Sequence, residues 1–267
     1  MIKGVDYSTR PSSWAAFFDA LKARGYSVIY RYLSSYNKGA TVAELQQAFA
    51  RNLRVGFYYE TTETAALAGY ERGVTHARDA LSWLKQLELP QELPVCYTVD
   101  FNASSSQLSG AVRQYFLGVR SVVPISQIGV YGGYRTVDYI MGQGLASFAV
   151  QTEAWSYLNG VRNPVVWHSR ADARQWTVHG PGNIGGVVCD GLDIVGNLPA
   201  YHPEEDDMDP KIAELIKLGR VSDVARSYDV EIIRAELKGD AERVAKLEAD
   251  KLKDLEDVRK ALGLIDE

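Results

Sequence analysis

Four acidic side chains close or follow short apolar, β-rich runs of the 267-residue chain: Asp6 after IKGV, Glu60 after RVGFYY, Asp100 after PVCYTV and Glu153 after SFAVQT. Asp and Glu are disfavoured inside strands. An acid at a strand end is therefore either a helix N-cap or turn residue, or a group placed for chemistry. Carboxylates that face each other across a cleft suit glycoside hydrolysis. One protonates the leaving oxygen, and another acts as nucleophile or base or stabilises positive charge on the sugar. Asp6, Asp100, Glu60 and Glu153 are accordingly the candidate catalytic groups. Arg31, Tyr59, Tyr131, Gln151 and Trp155 also end or follow such runs, Asn102 lies just past Asp100, and Asp190 and Asp193 sit in the last run, VVCDGLDI. Aromatic faces pack on the apolar faces of sugar rings. Arg31, Tyr59, Asn102, Tyr131, Gln151, Trp155 and Asp193 are the candidate substrate-binding residues.

Other chemistries lack their signatures. His76, His168, His179 and His202 form no HExxH pair, so no metal or other cofactor is expected. No GxSxG elbow occurs, and Ser104–Ser106 reads as a helix-leading loop. Cys96 and Cys189 lie far apart in apolar runs, which suits small buried core residues better than a disulfide framework or a cysteine nucleophile. No GxGxxG follows the first strand, no phosphate-binding GxxxxGK[ST] is present, and HGPGNIGG at 179–186 reads as a loop. A net charge of −5 argues against a nucleic-acid partner. No apolar stretch approaches the roughly 18–20 residues of a membrane span.

The elements that must position these groups alternate. Strand-like runs occur at 2–6, 26–32, 54–60, 94–100, 127–132, 147–152, 164–168 and 187–194, with amphipathic helical stretches at 13–24, 41–52, 69–88, 107–121 and 134–143. Thr41 and Glu44 form a capping-box pattern at the second helix. Strand–helix alternation implies a parallel sheet with right-handed crossovers. About eight strands in 200 residues predict an α/β fold, a small or irregular (β/α) barrel of TIM type, with an open doubly wound sheet as the competitor. In such a barrel chemistry collects at the C-terminal ends of the strands, where the acids lie.

The composition breaks near residue 201. Residues 201–267 hold 19 acidic against 12 basic side chains, and their only aromatics are Tyr201 and Tyr228. The segment YHPEEDDMDP reads as an acidic, proline-containing linker over 201–210. Helical spacing of apolar residues follows over 211–267, with Pro210 at a helix start. Three helices of that size make a marginal core, so they are expected to dock: onto the first domain (1–200), onto a second copy, or onto a virion protein.

GVDYS at 4–8, RY at 31–32, YTVDFN at 97–102, GVYGGY at 129–134 and QTEAWS at 151–156 occur in an order that resembles the glycoside-hydrolase-like domain of actinobacterial cell-envelope proteins and phage lysins. That domain is itself similar to the family 25 lysozymes, muramidases on an incomplete (β/α) barrel. The resemblance spans about residues 2–200. It implies that Asp6 corresponds to the acid ending the first strand, Asp100 to the first acid of an Asp-x-Glu motif, and Asp190 or Asp193 to the acid of the closing segment. At the glutamate of that motif, the family's general acid, this chain has Asn102. Glu60 or Glu153 would then supply the proton, or the cleft would bind glycan without cleaving it. The expected function is a lysozyme-like, peptidoglycan-type hydrolase of endolysin or tail-associated kind, with bacterial cell-wall polysaccharide as partner. The alternative is a non-catalytic glycan-binding or virion structural protein. MIKGVDYS lacks the apolar core of a secretory signal, so arrival at the wall by holin release or with a bacteriophage virion is the expectation.

Overall fold

A computed structural model describes residues 2–34, 37–156, 165–203 and 246. The expected linker beyond residue 203 and the expected helices over 211–267 lie outside these, apart from residue 246. The first compact unit runs from Met1 to Pro203. It exceeds the expected boundary because Tyr201 exchanges both backbone hydrogen bonds with Val55, at 2.8 and 2.9 Å.

The unit is a closed, irregular (β/α) barrel. Strands β1 (Ile2–Asp6), β2 (Val28–Tyr32), β3 (Arg54–Tyr59), β4 (Val95–Thr98), β5 (Ile128–Gly132), β6 (Phe148–Thr152) and β7 (Ala173–Trp176) pair in sequence order, all parallel. The eighth stave, β9 (Val187–Ile194), lies antiparallel between β7 and β1 and closes the ring. Strand β8 (Gly182–Ile184) stands outside the ring in a hairpin with β9. Gly185 and Gly186 make its two-residue turn at φ +56 and +87, the left-handed pair that a type I′ hairpin requires. The segment 179–186, expected as a loop, is thus largely a hairpin.

One further expectation fails. Residues 165–168 form no strand, and the seventh stave is ARQW at 173–176. The reason is local: the Gln151 side chain takes the place of a ladder, donating to the Val166 carbonyl and accepting the His168 N–H, both at 2.7 Å.

Helices α1 (Trp14–Ala23), α2 (Val42–Phe49), α3 (Tyr70–Gln86), α4 (Ser105–Gln107), α5 (Arg113–Arg120) and α6 (Tyr134–Gly142) follow the expected stretches, α4 and α5 being joined by a π turn at Leu108–Val112. Ser13 caps α1, and Ser104 with Gln107 forms a full capping box at α4. At α2 only half of the expected box forms. Thr41 Oγ1 accepts the Glu44 N–H, but the Glu44 carboxylate turns inward to Arg31 and Tyr7. The larger core lies between barrel wall and helices, with Phe17, Phe18, Leu21, Phe57, Tyr97 and Phe116 at its centre.

Strand alternation sends every second side chain into the barrel. Tyr30, Tyr58, Cys96, Tyr131, Phe148, Val150, Ala173 and Leu192 fill it. Two glycines make room for the rings. A Cβ on Gly56 would lie 2.1 Å from the Tyr30 ring, and one on Gly129 would lie 2.2 Å from that of Phe148.

Candidate active site

The parity that fills the barrel also decides what reaches its mouth. Asp6 on β1 faces inward, nearly fully buried. Gln175 on β7 donates to Asp6 Oδ2 at 2.8 Å, Tyr58 donates to the same oxygen at 3.4 Å, and Tyr131 donates to Gln175 Oε1 at 2.8 Å. Tyr32, Tyr58 and Tyr131 form a run of inclined rings, with Tyr58 5.5 Å from Tyr32 and 5.4 Å from Tyr131. Asp190 on β9 is the direct register partner of Asp6. Because β9 runs antiparallel, it is the start of this strand, not its end, that meets the mouth. Asp100, just past β4, accepts the Trp155 indole N–H at 2.7 Å.

This layer is electrostatically tense. Burial, and then the charge of Asp190, push the Asp6 carboxyl well above the ordinary range, against the hydrogen bonds from Gln175 and Tyr58. Burial, then the charges of Glu153 and Asp100, push Asp190 up to about 6. Two like charges about 5 Å apart, the usual Cβ spacing of opposed strand residues, repel by about 3 kcal/mol at an effective dielectric of about 20. The pair therefore holds a proton at pH values where an ordinary carboxyl has lost it.

Of the residues expected from sequence, Asp6, Asp100, Tyr131 and Trp155 come together at the mouth. Glu60 lies half-buried at the rim, where Lys38 Nζ sits 2.5 Å from its Oε1 and 4.8 Å from the centre of the Tyr32 ring. Asn102 is exposed and accepts a hydrogen bond from Arg135 at 2.6 Å. Arg31, Tyr59, Gln151 and Asp193 face away. Arg31 is fully buried behind the wall, committed to the Glu44 carboxylate and the Tyr7 carbonyl. Tyr59 points out to α3 and donates to Asp79 at 3.2 Å. Gln151 is the buried clamp on residues 166–168 already described. Asp193 faces outward, opposite Lys3 and Arg174, and accepts the Trp176 indole N–H at 2.8 Å. Glu153 is buried as an acceptor for Val178 N, Thr177 Oγ1 and His179 Nδ1, at 2.5, 3.3 and 3.3 Å.

Tyr32, Tyr58 and Gln175 were missed as mouth residues. The signal was available for two of them: each lies one position from a chosen residue (Arg31, Tyr59), on the face that period-two alternation sends inward. Gln175 carried no such signal because its strand was not recognised.

Residues 19–195 match the sequence profile of the Rv2525c-like, glycoside hydrolase-like domain. The chain belongs to this family. The matched span contains the RY, YTVDFN, GVYGGY and QTEAWS motifs, and GVDYS precedes it. A Mycobacterium tuberculosis relative named "Putative peptidoglycan hydrolase Rv2525c" is 23% identical over 173 residues, which are 61% of this chain and 72% of that protein. The crystal structure of the Tat-secreted M. tuberculosis Rv2525c in complex with L-tartrate superposes with a TM-score of 0.65 at 22% identity, covering 74% of this chain and 98% of that one. A B. stearothermophilus protein superposes with a TM-score of 0.50 at 17% identity, covering 75% of this chain and all of that one. At these identities the two structures speak for the barrel alone, whereas the family match covers both Asp100 and Asp190.

Proposed function

We propose that this member of the Rv2525c-like family is a cell-wall glycan hydrolase in which the Asp6–Asp190 pair holds the catalytic proton. The observation that carries the reading is that pair: two opposed carboxyls at the mouth, Asp6 buried and Asp190 partly exposed, with Asp190 pushed up to about 6. A general acid needs a proton near the operating pH, and a buried acid pair supplies one. Asp190 then protonates the leaving oxygen. Asp100, oriented by the Trp155 indole, stabilises the positive charge on the sugar or attacks it. Tyr32, partly exposed, gives the sugar ring an apolar face, Tyr58 and Tyr131 back it from inside the barrel, and Gln175 fixes the Asp6 oxygen that faces Tyr58. Glu60, held by Lys38, and Glu153, held by three donors, are acceptors rather than acids in this scheme. The relative's name, which speaks of peptidoglycan, supports that polymer as the substrate class.

The test is a product assay. The full chain and its Asp190→Asn and Asp100→Asn variants are incubated with purified peptidoglycan, and soluble products are scored by mass spectrometry for new reducing ends. Products from the unaltered chain and from neither variant are expected. Equal release by Asp190→Asn would overturn the assignment of the proton. Asn102 favours a second reading, glycan binding without cleavage, because it stands where the resemblance implies an acid. Wall binding by all three proteins with no product from any would establish that reading.

A further inference from the structure

The outer wall of the barrel between β7 and β1 differs from the rest. From β1 to β6 each connection carries a helix, but here β9 is antiparallel and the β8–β9 hairpin links it to β7. The wall carries a cleft of about 380 Å³, lined among others by Lys3, Tyr26, Trp176, His179, Pro181 and Asp193. That volume lies within the roughly 300–1,000 Å³ of small-ligand sites. None of these six belongs to the mouth. They lie on its reverse side, because along β7 Gln175 faces the mouth and Trp176 the cleft, and along β9 Asp190 faces the mouth and Asp193 the cleft.

The cleft is built rather than incidental. The Trp176 indole is held by its N–H to Asp193 Oδ2 at 2.8 Å and by edge contacts with Trp167 and His179, at centroid distances of 4.8 and 6.2 Å. Backbone closes tightly around it. A Cβ on Gly180 would come within 2.3 Å of the Trp176 carbonyl oxygen, and one on Gly191 within 3.0 Å of Pro181. A fixed indole therefore stands beside an exposed ammonium, on Lys3, and a carboxylate, on Asp193. Lys3 forms no ion pair among the described residues.

We propose that this cleft is an accessory carbohydrate site for an N-acylated amino sugar of a glycan chain. The chemistry of the acylamino group matches the lining point by point. Its carbonyl takes a donor, Lys3. Its N–H takes an acceptor, the Asp193 carboxylate. Its methyl and the apolar face of the sugar ring take the Trp176 indole. The proposal rests on the glycan reading for the class of polymer. It adds that one chain is held on the outside of the wall whose inside carries the acids, so the enzyme stays on its substrate between cleavages.

The test is titration calorimetry on the full chain with two soluble probes. Chitotriose carries the acylamino groups and cellotriose does not. Asp190→Asn serves as background so that no turnover intrudes. Chitotriose binding is expected, at least tenfold tighter than cellotriose, weakened at least tenfold by adding Trp176→Ala and severalfold by adding Lys3→Ala. Lys3 is exposed, so its variant separates loss of the site from loss of the fold. No chitotriose binding, equal affinity for both probes, or affinity unmoved by both substitutions would each overturn the proposal. Peptidoglycan cleavage by the unaltered chain is read separately. Its absence removes the hydrolase reading, whereas Trp176-dependent chitotriose binding decides the accessory site.

Discussion

Replacing Asp190 with asparagine is expected to stabilise the protein while abolishing the proposed chemistry. Burial, then the charges of Glu153 and Asp100, raise this carboxyl from 3.8 to about 6. A shift of about two units corresponds to about 3 kcal/mol of disfavoured ionisation. Asp190 is partly exposed, and solvent screening reduces that to about 1.5–2 kcal/mol. A raised acid in the folded state means that the folded chain binds more protons than the unfolded chain between about pH 4 and 6. Stability therefore falls as pH rises through this window, and the whole penalty is present at pH 7. Asparagine carries no charge and removes it. The variant should gain about 1.5–2 kcal/mol at pH 7, or about 3–8 °C in Tm for a unit of this size, and close to nothing at pH 3.5. Urea denaturation of both proteins at the two pH values measures it. An unchanged or lowered midpoint at pH 7, or a gain that persists undiminished at pH 3.5, would refute the argument that Asp190 is held against its own charge.

Three further outcomes follow from named contacts. Glu44→Gln should destabilise the fold by about 3–5 kcal/mol in denaturant titrations, because it leaves the fully buried Arg31 guanidinium without its counter-charge. His76 is lowered to about 4 by burial and then by Arg72, and sits between Thr61 and the Tyr115 hydroxyl. The unfolded chain binds the extra proton between about pH 4 and 6.5, so His76 should make stability rise with pH across that window by about 2–3 kcal/mol. That slope should vanish from the His76→Asn variant. Trp155→Phe keeps an aromatic ring but deletes the N–H to Asp100. It should lower kcat for peptidoglycan by about 10–100-fold with little change in wall pull-down, and an unchanged kcat would remove Trp155 from the orientation of Asp100.

The barrel was legible because hydrophobic period and length fix most staves: six of the eight expected runs became parallel strands within a few residues of their expected limits. The two failures at the seventh stave have separate local causes. Residues 165–168 are as apolar as a strand, yet a side-chain amide satisfies their backbone. ARQW at 173–176 has only two apolar residues, because one face meets the polar mouth through Gln175 and the other an open wall. Strand ends located the site, but only the inward parity of each strand tells Tyr32 from Arg31 or Tyr58 from Tyr59. The direction of β9 was invisible for a different reason. A parallel and an antiparallel closing strand bury the same alternate positions, yet only the antiparallel one sets Asp190 level with Asp6.

The environment of Asn102 explains why a proton would be stored elsewhere. Arg135 lies 2.6 Å from Asn102 Oδ1, and the residue is exposed. A carboxyl there would be solvated and paired with a guanidinium, and both effects favour its ionised form. It would make a poor acid at neutral pH. The barrel wall at Asp6 and Asp190 offers the opposite conditions: burial, a second carboxyl in direct register, and Gln175 and Tyr58 donating to one oxygen only. An antiparallel closing strand is what sets two acids face to face at that height, since a parallel one would present its far end to the mouth. The irregularity of the barrel and the candidate source of its proton are thus the same feature.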